Sequence, residues 1–222
     1  MTKQLDKGID VEALLSAIPQ TPWKDNGLSR EEKKRIIEEN FKQIMETLGL
    51  DLTNDSLIET PKRMAKMYVD EIFAGLKPEN FPKITVVKNE SGSQMVTEGM
   101  ITVNSVCEHH LVTICGYAHL AYIPKENVLG LSKFNRIVEY FSSRPQIQER
   151  LNDQIAKALI HILGTEDVAV VIDAVHFCVR GRGVKDSSSL TRTASLHGVF
   201  KSEQIVRNEF INSIPKLADF KL

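Results

Sequence analysis

The sequence predicts an α+β chain: a helical region over residues 1–80, then a domain over 81–222 built on a four-stranded antiparallel sheet with a helical pair between its hairpins. Three observations predict this. Helical spacing with start and stop signals fills the first third, and after Phe81-Pro82 the texture changes to runs rich in Val, Ile and Thr. The segments beyond then follow the order strand, strand, helix, helix, strand, strand. Hairpins flanking a helical pair argue for an antiparallel sheet with helices on one face. Such a sheet leaves two open edges, and pairing with a neighbouring subunit is one way to cover them.

The first helix is expected over Asp10–Ile18, where Val11, Leu14, Leu15 and Ile18 share one side, and Pro19, Pro22 and Gly27 break it. Ser29-Arg30-Glu31-Glu32 reads as a capping box opening an amphipathic helix through Ile36, Ile37, Phe41, Ile44, Met45 and Leu48, with Gly49 as its stop. Thr60-Pro61 reads as a cap followed by proline at the first helical position, and that helix runs to Gly75 with Arg63 and Lys66 on one face. Lys83–Lys88, Met95–Val106 and Thr113–Ile123 read as strands. Ser132–Ser143 and Pro145–Leu163 carry helical spacing, the second closed by Gly164. Asp167–Val179 is the strongest strand pattern, with Leu190–Phe200 as its hairpin partner across a polar turn, and a last helix is expected over Ser202–Ile214.

Composition narrows the function. The 28 Lys and Arg nearly balance the 29 Asp and Glu, so no overall field favours nucleic acid or an acidic membrane surface. No apolar run is long enough to span a bilayer, and Met1–Asp10 has no apolar core of the secretory kind. An odd count of three cysteines without a disulfide framework suits a reducing cytoplasm.

Chemistry concentrates in two short windows, Val106-Cys107-Glu108-His109-His110-Leu111 and His176-Phe177-Cys178. They hold two of the three cysteines and three of the six histidines. Burying such groups is costly unless a metal or partner satisfies them. On one continuous strand His176 and Cys178 point to the same face, the one that carries Val170, Ile172 and Ala174. Thiolate and imidazole donors indicate zinc. Three readings remain open on spacing alone: a structural site with Cys107, His110, His176 and Cys178, a catalytic one with three ligands and a place for water, or no metal, with buried cysteines and hydrogen-bonded histidines. The surplus of Glu108 and His109 favours catalysis. Cys115 reads as a small core residue.

Leu131-Ser132-Lys133, with Arg136 one turn on, places a hydroxyl and two cations at a helix N-terminus, where free amides and the dipole favour a phosphate. Arg180-Gly181-Arg182-Gly183 adds cationic backbone beside Cys178. Gln148-Glu149 offers an amide and a carboxylate that suit the edge of a guanine.

Several ordered motifs together resemble GTP cyclohydrolase I. They are Cys107-Glu108-His109-His110, Gly130-Leu131-Ser132-Lys133 with Asn135-Arg136-Ile137-Val138, Arg144-Pro145-Gln146-Ile147-Gln148-Glu149-Arg150, and His176-Phe177-Cys178. Glu59-Thr60-Pro61, Arg63-Met64-Ala65-Lys66-Met67 and Tyr68-Val69-Asp70-Glu71 extend the likeness, which spans about Leu50 to Phe210. The resemblance implies the tunnelling fold, a decamer of two pentameric rings, and active sites between subunits. It implies Zn2+ on Cys107, His110 and Cys178 with water as the fourth ligand, and the conversion of GTP to 7,8-dihydroneopterin triphosphate with release of formate, the first step of tetrahydrofolate and pterin biosynthesis. His109, His176 and Ser132 are the implied catalytic set: His109 protonates N7 and His176 acts at the ribose ring oxygen. Gln148 and Glu149 hold the guanine. Ser132 also joins Lys133, Arg136 and Arg182, with Arg63 and Lys66 from a neighbouring chain, in binding the triphosphate. Arg180-Gly181 departs from the pair expected before Arg182.

Other readings differ in their donors. Pyruvoyltetrahydropterin synthases hold zinc with three histidines, and zinc deaminases need a His-x-Glu and Pro-Cys-x-x-Cys pattern that is absent here. The nitrile reductase of deazaguanine synthesis lacks the Cys-His-Cys set. A catalytically silent, zinc-stapled oligomer that binds nucleotides is a further class, and formate release from GTP separates it from a cyclohydrolase.

Overall fold

The structure, a computed structural model, describes residues 5–6, 8–90 and 92–216. The N-terminal region holds β1 (Leu5–Asp6), α1 (Val11–Ser16), α2 (Arg30–Thr47) and α3 (Thr60–Met67). The Asp10 side chain caps α1 by accepting from Ala13 N at 3.0 Å. The capping box at Ser29 forms as the sequence predicts: Ser29 Oγ accepts from Glu32 N at 3.3 Å and the Glu32 carboxylate accepts from Ser29 N at 2.9 Å. The next start differs. Glu59 is the cap residue of α3, Thr60 lies inside the helix, and no side chain caps it. Beyond Met67 the helix widens into a π turn over Tyr68–Ile72.

Next come β2 (Thr85–Lys88), the long hairpin β3 (Val96–Cys107) and β4 (Thr113–Tyr122), then β5 (Asn127–Leu129) and α4 (Leu131–Ser142). β6 (Pro145–Gln146) leads into α5 (Gln148–Leu163), which Gly164 ends in the left-handed conformation at φ 65°. β7 (Val168–His176) runs into one helical turn, α6 (Phe177–Arg180); β8 (Thr191–Leu196), α7 (Val199–Ser202) and α8 (Gln204–Ser213) follow.

The main sheet has the order β6-β3-β4-β7-β8. Its four long strands are antiparallel throughout, as expected. The two-residue β6 adds a parallel edge beside the end of β3, with Cys107 opposite Gln146. β2, read from the sequence only as a strand, pairs with β1 and β5 in a separate three-stranded sheet. Val168, Val170, Ile172 and Ala174 of β7 are fully buried against α4 and α5, and Leu14 and Ile18 near α1 enter the same core. Helices on one face were expected, but both faces are covered: Ala169 and Val171 pack on the other side against Phe200, Phe210 and Ile214.

The helical region is locked to α4 at Gly75. Its N–H donates to the Ser143 carbonyl at 2.9 Å, and its carbonyl accepts from Arg144, whose guanidinium lies 4.6 Å over the Tyr140 ring. A Cβ at Gly75 would stand 1.9 Å from the Tyr140 carbonyl oxygen, so only glycine fits this approach.

Candidate functional site

The hairpin turn that joins β3 to β4 builds the first half of the site. Cys107 is the last residue of β3; its N–H donates to the Val112 carbonyl and its carbonyl accepts from Leu111 N–H, both at 2.8 Å. Between these bonds Glu108, His109 and His110 form a tight turn, and Leu111 takes a φ of 51°. The second half comes from α6. His176 ends β7 and the chain turns helical at Phe177, so the alternation that was to put His176 and Cys178 on one face does not apply. The helical turn instead delivers the Cys178 thiol to the hairpin. One donor atom from each of Cys107, His110 and Cys178 lies within 4.8 Å of the others. Cys107 is buried, Cys178 half-buried and His110 exposed.

These three residues could hold a metal ion. Burial pushes the Cys178 thiol up, and the Cys107 thiol beside it pushes the same way; the Arg182 charge opposes both. Two sulfurs brought together in partial burial are held as thiolates by a bound cation, and the donor set of two thiolates and an imidazole fits a borderline-soft ion. Among the described residues His176 is not in this group.

Two further histidines flank it. His109 Nδ1 lies 3.7 Å from Cys107 Sγ, and its Nε2 lies 3.8 Å from Glu108 Oε1. The His109 ring meets the His110 ring edge-on, with centroids 6.4 Å apart. His176 Nε2 lies 2.7 Å from Gln148 Oε1, and burial lowers its pKa while Glu149 opposes the fall.

Gln148, expected on a guanine edge, has its amide held within the chain. The side chain is 2% exposed, and Nε2 donates towards the Ile172 carbonyl (2.9 Å), the Thr191 carbonyl (3.0 Å) and Thr193 Oγ1 (3.1 Å). Its two amide hydrogens already face three acceptors. Glu149, by contrast, stands exposed in the first turn of α5. Ser132 and Arg136 are exposed and Lys133 half-buried at the start of α4, while Arg63 and Lys66 are exposed on α3 and Arg182 is exposed just past α6. None of these five cations makes an ion pair with the described residues. Sequence reasoning gave Arg150 no role, although it pairs with Glu108 inside the turn; its place four residues after Gln146 was the available signal.

A separate cleft of about 900 Å³ runs along β3 between Asp70–Ala74 and α4, and it contains none of the three metal-binding candidates. Its lining mixes polar side chains such as Asn104, Ser105, Asn135 and Glu139 with apolar ones such as Ile72, Met100 and Ile101. No helix among the described residues is long and apolar enough to cross a membrane.

The family model described as GTP cyclohydrolase I matches residues 37–215. A GTP cyclohydrolase 1 from Aliivibrio salmonicida is 54% identical over 204 residues, covering 91% of this chain and 94% of the relative. Those named GTP cyclohydrolase 1 from Yersinia enterocolitica and Serratia proteamaculans are 55% and 57% identical, covering 91% and 88% of this chain and 93% and 89% of their own lengths. A solved structure titled as the archaeosine synthase QueF-Like in the apo form aligns with 48% of this chain and 94% of its own, at 17% identity and a TM-score of 0.39, which is too slight to carry an argument.

Proposed function

The chain belongs to the GTP cyclohydrolase I family, and we propose that it hydrolyses GTP, releases formate and rearranges the remainder to 7,8-dihydroneopterin triphosphate. The observation that carries the mechanism is the grouping of Cys107, His110 and Cys178 with His176 left outside it. Three protein ligands leave a position for water, which is the catalytic pattern for zinc, whereas four would close the site. Zinc held there would supply Lewis-acid polarisation of the water that adds at guanine C8.

The chain's own residues supply the rest. His109, exposed at the rim beside Cys107, is the proton donor to N7 as C8 is attacked. His176 acts later, at the ribose ring oxygen. The two carbonyls that Gln148 Nε2 meets can only accept, so Oε1 must accept from His176 Nε2, and the neutral ring keeps Nδ1 as its acceptor. Glu149 holds the guanine edge, with Gln148 behind it fixing His176. Ser132, Lys133, Arg136 and Arg182 bind the triphosphate; the fully formed N-terminus of the twelve-residue α4 supports that assignment. Loss of formate follows opening of the imidazole ring, and reclosure follows an Amadori rearrangement of the ribose. The product would open tetrahydrofolate and pterin biosynthesis.

We place Arg63 and Lys66 in a neighbour's site. β8 ends the sheet on one side and β3 is covered on the other only at its β6 end, so copies can pair edge to edge into the barrel of the tunnelling fold. Ile44 near the end of α2 and Leu48 just past it are 51% and 73% exposed, apolar residues suited to a second interface and so to a decamer. Three free cysteines, two of them thiolate ligands, suit the cytoplasm.

The test is zinc content beside formate release from GTP on the purified chain. One zinc per chain with stoichiometric formate is expected; a zinc-replete protein that releases none belongs to the silent, zinc-stapled class.

A further inference from the structure

A line of polar side chains leaves the Glu108–His110 turn and ends in the N-terminal segment. Glu108 Oε2 accepts from the Arg150 guanidinium, while its Oε1 lies 3.8 Å from His109 Nε2. Arg150 Nε donates to Gln146 Oε1 at 3.3 Å. Gln146 Nε2 donates to the Phe141 carbonyl at 2.8 Å and to Gln154 Oε1 at 2.7 Å. Gln154 Nε2 donates to the Pro19 carbonyl at 2.7 Å. The main chain runs alongside, Glu108 N–H donating to the Gln146 carbonyl at 3.1 Å.

The line has only one sense. Gln146 and Gln154 are both 0% exposed, and buried amides are stable only where donors and acceptors are matched. The Phe141 and Pro19 carbonyls can only accept, so both Nε2 groups point to them and both Oε1 atoms are left for incoming donors. Arg150, which has no acceptor, must then be the donor to Gln146 and to Glu108. The far end is rigid because Leu14 and Ile18, just before Pro19, are 0% and 6% exposed in the main core. A brace for folding would stop at Arg150. Here the last carboxylate oxygen faces the ring of His109.

We propose that Arg150, Gln146 and Gln154 are positioning residues that hold Glu108 against His109, and that the segment ending at Pro19 thereby belongs to the catalytic apparatus. That segment lies ahead of residue 37, where the family match begins. The inference rests on the reading that His109 carries a proton to the substrate.

The test uses the full zinc-loaded chain and the variants Glu108→Gln, Arg150→Gln, Arg150→Lys and Gln154→Leu, with kcat and KM for formate release, zinc per chain and the visible absorption of the cobalt-loaded protein. Glu108→Gln and Arg150→Gln should each lower kcat by ~10–100-fold, less than the ~10²–10⁴ that full loss of a proton donor costs because His109 itself stays, with KM within about threefold and zinc retained. The double variant should lose no more than the worse single one, because residues acting as one unit are not additive. Arg150→Lys should recover part of the rate through its charge. Gln154→Leu should show the same kcat-only loss to a smaller extent. In the cobalt protein the sulfur-to-metal band should shift in all variants but Arg150→Lys, since His109 lies against Cys107. Multiplying losses, a raised KM with intact kcat, or an unmoved cobalt band would overturn the proposal. If Gln154→Leu does not fold, the cycle of Glu108 on the turn and Arg150 on α5 decides alone. A wild-type chain that releases no formate strikes the functional reading instead, and the cobalt band still reports on the positioning line.

Discussion

His176 Nε2 and Gln148 Oε1 lie 2.7 Å apart, and this contact joins the end of β7 to the first residue of α5. Because Gln148 Nε2 is committed to carbonyls of β7 and of the residue opening β8, the histidine cannot flip without breaking a buried amide's bonds. Gln148→Leu should therefore lower kcat by about tenfold or more while KM for GTP and zinc content stay near wild type. A guanine contact would give the opposite split, with KM raised and kcat kept. Steady-state kinetics on the variant separates the two.

A second prediction concerns stability against pH. His119 is 3% exposed on β4, its Nδ1 accepts from Met100 N–H at 3.4 Å, and its Nε2 stands 3.7 Å from Asp173 Oδ2. Arg192 holds both oxygens of Asp173, at 2.6 and 2.7 Å. Burial pushes His119 below its ordinary value of 6.5; Asp173 pulls it back and Arg192 adds to the fall. The unfolded chain then takes up this proton more readily than the folded one, so stability is whole above pH 6.5 and is lost as the pH drops towards the lower folded value. Urea midpoints measured from pH 8 to pH 5 should show this decline, and His119→Gln should flatten it. A wild-type midpoint that does not fall below pH 6.5 contradicts the assignment.

Much of this was legible before any coordinates, and the exceptions share a cause. Ser29 with Glu32, and Gly164 behind α5, are local signals, and those two boundaries fell where the caps stood. The β7 run Val168–Val175 is apolar on both faces except at Asp173, the pattern of a strand buried on both sides. Pro145–Gln146 could not be read as a strand, since two residues have no period and their pairing with Val106 and Cys107 is made across the fold. Phe177–Val179 continued a β-like run, and the helical turn found there departs from that local pattern. The metal residues were legible by type, because cysteine and histidine concentrate in two windows. Whether three or four of them gather depended on that turn.

Phosphate recognition gives a third prediction. Arg182 is exposed just past α6, four residues after Cys178. Arg182→Ala should weaken GTP on the order of tenfold or more and guanosine little, because a charge-assisted contact to the triphosphate is absent from the nucleoside. Equal losses in calorimetric titrations of the two ligands would assign Arg182 to packing of the 181–189 loop.

The thiolates give a fourth. Cys178→Ser should lose zinc and turnover together, since the hydroxyl is a poorer ligand and only Cys107 and His110 remain beside it. A zinc-replete, active serine variant would falsify its place among the ligands.

The three histidines provide the sharpest separation. His109 and His110 lie side by side in a turn, with rings at 76° to each other, and of the two only His110 reaches both thiols with a ligand atom. His110→Ala should therefore lose zinc. His109→Ala should keep it, bind GTP and turn over slowly, with a deficit of ~10²–10⁴ for a missing general acid. His176→Ala should also keep zinc, because its Nε2 is taken by Gln148 rather than by the metal group. It should stall after ring opening and accumulate an opened formamide in place of product. Metal analysis beside product analysis on all three variants reads the whole pattern. A metal-free His176→Ala would mean four protein ligands and no place for water, and the site would then be structural.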